Sequence, residues 1–285
     1  MSSRHQRRRA GILRRAADLL KAHDLWMMGA GIAFFFTLAL IPPLLLGTSA
    51  LGFALGSPQR ATAQIFPAIR RIAPGATTGQ LETFVHSLVE GRALAGWLGL
   101  LSLLWVSSGA YESIANALTT LSGLRETRSF LHRKLLAAGL MLATGTLFLA
   151  SLILASLATA ILGFGNMILE YLPSPFAMAP SLIIFIASPL LVAATFLTLY
   201  RWAPPQPIAW GPAIVGAALG GSLWYLAKRA FGWYLVRVAR NHLVYGLLGS
   251  FIGLLLWVYY TSLIFLLGAV VALACWRDRP APDQG

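Results

Sequence analysis

Cysteine is nearly absent: Cys275 stands alone in 285 residues, which excludes an intramolecular disulfide and any site built from several thiolates. Charge is scarce as well. Charged residues make up 11% of the chain against 58% hydrophobic, outside the range of a soluble globular domain. Acidic residues are the scarcest, 9 Asp and Glu against 22 Lys and Arg, and the cations gather at the ends of long apolar runs instead of covering one soluble face. That distribution argues against a cytosolic nucleic-acid binder. H-E-x-x-H, G-x-S-x-G, P-loop and dinucleotide fingerprints are all missing, and the 5 histidines are scattered. Nothing reads as an enzyme site, and neither a cofactor nor a metal is expected.

Long apolar runs are present in abundance. A spanning helix needs about 20 mostly apolar residues, and six runs qualify, at 26–55, 94–121, 135–164, 180–202, 210–227 and 245–276. The expected fold is therefore all-α, a polytopic bundle of six transmembrane helices. A basic segment (1–25) precedes the membrane domain (26–276), and a short tail (277–285) follows it.

The basic segment carries Arg4, Arg7, Arg8, Arg9, Arg14, Arg15 and Lys21, followed by an apolar run too long for a signal peptide, so this end is expected to be retained. Ile12, Leu13, Ala16, Leu19 and Leu20 recur at helical spacing between these charges, as in an interfacial helix lying on an anionic leaflet. No aromatic residue interleaves with the arginines for base stacking. If this end is cytoplasmic, inside segments hold 14 of the 22 cations, including Arg125, Arg128, Arg133, Lys134 and Arg201. Trp26, Trp202, Trp210 and Trp276 then share one interface. Both termini are expected in the cytoplasm of a bacterial cell, with the chain in its inner membrane.

The first outside loop, 57–93, is too long for a turn and is expected to hold two short helices, the second with an apolar stripe at Leu81, Phe84, Val85 and Leu88. Glu82, His86 and Glu90 share the opposite face of that helix. A solvated face shows the same residues, so no metal site is assigned.

Within the spans a few polar features stand out. Pro42-Pro43 interrupts the first span and predicts a kink, because proline lacks an N–H and clashes with the preceding turn. Glu112 is the one carboxylate inside any span, with Asn116 a turn further on; an ionisable group in lipid costs a few kcal/mol unless paired or wet. Lys228 and Arg229 close an unusually short fifth span, and Arg237 and Arg240 follow on nearly the same face among Phe231, Trp233 and Tyr234. These four cations oppose the positive-inside rule, so they either snorkel to lipid phosphates or face a vestibule that attracts anionic headgroups. Gly52-x3-Gly56, Gly216-x3-Gly220 and Gly249-x3-Gly253 read as packing signals, since small residues let helices approach where lipid gives no hydrophobic drive.

Two stretches, AGIAFFFTLALIPPLLL (30–46) and NHLVYGLLGSFIGLLLWVYYTSLIFLLGAVVALA (241–274), resemble the YihY/BrkB family of bacterial inner-membrane proteins. The Tyr245-Gly246 pair, the Leu-Trp-Val-Tyr run through Tyr259 and Leu-Leu-Gly-Ala at 266–269 follow the family order. Many relatives have a glutamate just after that last motif, where this chain has Val270. The resemblance implies a six-helix bundle with cytoplasmic termini. An old family label is a tRNA-processing ribonuclease. That activity needs bound metal or a general acid and base on the cytosolic side, and the cytoplasmic segments provide neither. Other family associations are serum resistance and export of lipid or lipopolysaccharide.

These readings converge on a transporter or export factor for an anionic lipid or amphiphile, with Pro42, Pro43, Glu112, Asn116, Lys228, Arg229, Arg237, Arg240 and Tyr245 along its path. Its expected partners are anionic membrane lipids, a second copy or other envelope proteins, and no nucleic acid. The alternative is a non-catalytic membrane scaffold. Lipid grooves or a continuous polar cavity favour the first; a solid bundle with outward-facing charges favours the second.

Overall fold

The computed structural model describes residues 2–56, 87, 90–168, 179–237 and 246–276. Among these every regular element is a helix: α1 (Ser2–Ala22), α2 (Leu25–Leu38), α3 (Ile41–Leu55), α4 (Arg92–Ser122), α5 (Phe130–Ile168), α6 (Ala179–Trp202), α7 (Trp210–Arg237) and α8 (Gly246–Trp276). In lipid each backbone N–H and C=O needs a partner within the segment, which a helix supplies. Four of the described segments are long and apolar enough to cross a membrane: Leu25–Ala54, Arg92–Ser122, Phe130–Ser151 and Phe251–Trp276. α6 and α7 are not among them; in α7, Gly216, Gly220, Gly221 and Ser222 dilute the apolar run. The expected loop helices with Leu81, Phe84, Val85 and Leu88, and the pair Glu82 and His86, lie outside the described residues. So do Arg240, Tyr245 and the tail.

The chain divides into two compact units, 1–34 with 111–285, and 35–110. In the smaller unit α3 and the first part of α4 run antiparallel. Ser49 Oγ–H donates to the Arg92 carbonyl at 2.6 Å, and Gly99 backs onto Leu46 so closely that a Cβ there falls 3.0 Å from it. Within the span Leu25–Ala54 the helix is interrupted just before Pro42-Pro43, as expected. The chain breaks at Ala39–Leu40, and both prolines lie in the first turn of α3. The N–H groups they lack are ones that a helix start leaves unpaired anyway, so the prolines orphan no donor there. Pro42 is buried and Pro43 exposed. Gly56 closes α3 at φ +66°, where a Cβ would be strained.

The core of the larger unit is the α6–α7–α8 layer, with α5 against α6 and α1 against α8. Tyr200, Leu266, Val270 and Leu273 are fully buried in it. Tyr200 O–H donates to the Phe265 carbonyl at 2.6 Å, and Phe196 meets the Phe265 ring edge-on at 5.3 Å. α7 and α8 touch through backbone: a Cβ on Gly216 falls 2.5 Å from the Gly268 carbonyl oxygen, and one on Gly268 falls 2.8 Å from the Gly216 carbonyl oxygen, while one on Gly220 falls 2.8 Å from the Phe196 side chain of α6. Gly253, spaced like Gly220, has open space instead. The packing role expected of three glycine pairs therefore holds at Gly216 and Gly220, whereas Gly56 and Gly253 have no neighbour that a Cβ would meet.

α1 is amphipathic as expected and docks on α8, with Ala16 and Leu19 buried while Leu13 and Leu20 stay exposed. Asp24 caps α2: its Oδ1 accepts the N–H groups of Trp26 and Met27 at 3.0 and 3.1 Å. α7 continues unbroken through Lys228 and Arg229 to Arg237, so the fifth apolar run is shorter than its helix. Charge ends hydropathy without ending the backbone hydrogen bonds of a helix.

Candidate functional site

α4 ends at Gly123, whose φ of +64° reverses the chain at a position that a side chain would strain. Ser129 then opens α5 by accepting the His132 N–H at 3.4 Å. This turn brings the polar end of α4 against the basic start of α5. Glu112 pairs with Lys134 Nζ at 2.7 Å, both side chains about a quarter to a third exposed. One turn on, Asn116 Oδ1 accepts from Arg133 at 3.4 Å. Thr144 gives its proton to the Leu140 carbonyl at 2.7 Å, so its bond with Tyr111 uses the Tyr111 O–H as donor.

A small cleft opens between these groups, lined by Tyr111, Glu112, Glu126, Arg128 and Arg133 above Leu136 and Leu140. Its free space, about 10 Å³, holds roughly one water. Glu126 Oε1 accepts the Arg128 N–H at 3.0 Å. The Arg128 guanidinium reaches the α6–α7 loop, donating to the carbonyls of Ala203 at 3.3 Å, Pro205 at 3.0 Å and Pro204. From the last turn of α6 Arg201 donates to the Ile208 carbonyl of that loop at 2.7 Å and covers the Trp210 ring, which in turn meets Trp202 edge-on at 5.8 Å.

Of the residues expected along a path, Glu112 and Asn116 come together here. Pro42 and Pro43 belong to the other unit. Lys228 and Arg229 are exposed on α7, the first 5.4 Å over the Trp224 ring and the second donating to Tyr225 Oη at 3.2 Å. Arg237 closes α7, with its side chain outside the described residues. Sequence reasoning counted Arg128, Arg133 and Lys134 only as topology signals. Their spacing from Glu112 depends on the turn at Gly123, so no local motif marks them. Among the described residues no three His, Cys, Asp or Glu side chains group together, and Glu90 is exposed.

Removing the Glu112 charge tests the pair. Glu112→Gln leaves the Lys134 ammonium without its counter-charge, and we expect an unfolding midpoint lowered by about 1–2 kcal/mol of stability. Asp18→Asn serves as the control. Matching midpoints for both variants in detergent-solubilised protein would show that the pair contributes nothing.

Apolar helices closed at one end by an ion-paired polar cluster define a helical membrane protein. The model of the virulence factor BrkB family matches residues 16–285, and the chain belongs to that family. It is 25% identical over 271 residues to a Bacillus subtilis protein named ribonuclease-like, YfkH, covering 92% of this chain and 94% of the relative. A UPF0761 membrane protein of Nitrosospira multiformis is 26% identical over 92% of this chain, and one of Ralstonia nicotianae is 27% identical over 75%. The chain spans 60% and 48% of the lengths of these two. No solved structure matches the chain.

Proposed function

We propose that this protein crosses a bacterial inner membrane six times, with both termini in the cytoplasm, and moves or hands over an anionic amphiphile. The observation that carries this reading is the exposed basic and aromatic surface of α7. Lys228 and Arg229 lie beside Trp224 and Tyr225, and Trp233 and Tyr234 are exposed a turn further on. Indole and phenol rings anchor at headgroup depth, and each cation near an anionic surface contributes about 1 kcal/mol. The basic bias of the α4–α5 and α6–α7 loops supports the orientation. Partners on this reading are anionic lipids rather than nucleic acid.

The scaffold reading has its own support: the polar cleft holds about one water, and Lys228 and Arg229 face outward. Proteoliposomes containing labelled phosphatidylglycerol separate the two. Transport predicts faster transbilayer passage of the label than in protein-free vesicles, slowed roughly tenfold in Lys228→Gln/Arg229→Gln and less so at high salt. Passage at the protein-free rate for wild type would leave the scaffold. A thiol introduced at Ser129 checks the orientation, since labelling by an impermeant reagent from outside intact cells reverses it.

A further inference from the structure

The cations around the cleft are not equivalent. Arg128 is held by the carbonyls of Ala203, Pro204 and Pro205, and Lys134 is paired with Glu112. Arg133, half-buried in the cleft wall, has a single side-chain hydrogen bond among the described residues, to Asn116 Oδ1 at 3.4 Å, near the outer limit for such a bond. A guanidinium has five N–H donors in a planar fork and no acceptor. Among the described residues neither nearby carboxylate bonds to it, Glu112 being paired with Lys134 and Glu126 accepting the Arg128 backbone N–H. A guanidinium at the mouth of the cleft with donors in reserve can take an anion, and its fork fits two oxygens of one phosphate. Asn116 is exposed, and with its Oδ1 turned to Arg133 its Nδ2 remains a donor for the same anion.

The surroundings favour an amphiphile over a fully solvated ion. Phe130, Leu131 and Leu135, which flank Arg133 on the first turns of α5, are 74%, 67% and 65% exposed. Apolar side chains this exposed, next to a cation at the end of an apolar helix, suit acyl chains beside a headgroup.

We propose that Arg133 and Asn116 bind the phosphate of an anionic amphiphile where α4 turns into α5. The site rests on the function proposed above only for the nature of its ligand; its residues are separate from the basic surface of α7.

Native mass spectrometry of the full chain in detergent, titrated with short-chain phosphatidic acid, phosphatidylcholine of equal chain length and inorganic phosphate, tests the site. We expect phosphatidic acid to bind better than phosphatidylcholine, Arg133→Gln to weaken it roughly tenfold or more, and Arg133→Lys to restore part of the loss. Asn116→Ala should weaken it less. Since Arg133 makes one long bond, Arg133→Gln should keep the wild-type unfolding midpoint, so lost binding is not lost folding. If inorganic phosphate at equal concentration displaces phosphatidic acid, the site takes soluble phosphate and the amphiphile assignment falls; if it does not, the ligand is the lipid headgroup, as proposed. Equal phosphatidic acid binding by wild type and Arg133→Gln overturns it. Binding lost in Lys228→Gln/Arg229→Gln but kept in Arg133→Gln would do the same while leaving the α7 surface standing.

Discussion

Gly216→Ala and Gly268→Ala are each expected to destabilise the protein by about 1–3 kcal/mol, whereas Gly253→Ala should stabilise it slightly or leave it unchanged. At Gly216 the added methyl meets the Gly268 carbonyl at 2.5 Å and Ala272 Cβ at 2.6 Å; at Gly268 it meets Tyr200 Oη, and the Gly216 carbonyl at 2.8 Å. These obstacles are largely backbone and a fully buried, hydrogen-bonded tyrosine, so relief requires the helices to move apart. In lipid, where apolar burial gives little drive, a lost backbone approach removes much of what holds two helices together. Gly253 faces open space, and alanine is the better helix former by about 1 kcal/mol. Thermal unfolding of the three variants in detergent decides the matter. Three equal midpoints would mean that the α7–α8 crossing is not the close one described.

Arg128→Ala should be about as damaging, at about 2–4 kcal/mol. The α6–α7 loop, Ala203 to Ala209, contains Pro204, Pro205 and Pro207, which have no N–H and cannot close turns with their own backbone. Ala203 and Pro204 are nonetheless buried, so their carbonyls need a donor. The Arg128 guanidinium supplies it, reaching three successive carbonyls from a loop 75 residues away in sequence. Arg128→Lys should recover only a minor part, because an ammonium is a point donor and not a fork. Hydrogen exchange at Gln206, Ile208 and Ala209 is expected to quicken in Arg128→Ala. Unchanged exchange and an unchanged midpoint would show that the loop holds itself.

The membrane class was legible in one dimension because lipid imposes a one-dimensional rule: a span must be apolar over its length, with cations at its ends. The ends of α4, α6 and α8 lie within a few residues of the apolar runs that announced them, and Glu112 stood out as a carboxylate inside such a run. Family likeness was legible for a similar reason, since the motifs at 30–46 and 241–274 are contiguous. What hydropathy misreads is backbone. Lys228 and Arg229 ended the apolar run, yet the helix continues to Arg237, and the interruption that Pro42-Pro43 announced falls two residues ahead of them, at Ala39–Leu40.

Partners were settled only by tertiary structure. Gly216-x3-Gly220 and Gly249-x3-Gly253 share one spacing, yet Gly216 and Gly220 meet neighbouring helices closely while Gly253 faces open space. Glu112 advertised its need for a counter-charge, but Lys134, Arg133 and Arg128 are ordinary loop cations until Gly123 reverses the chain at φ +64° and sets α5 beside α4. Composition determines which groups are costly to leave alone in a membrane. The geometry of turns and helix crossings decides which group answers each of them, because contact depends on direction in space and not on distance along the chain.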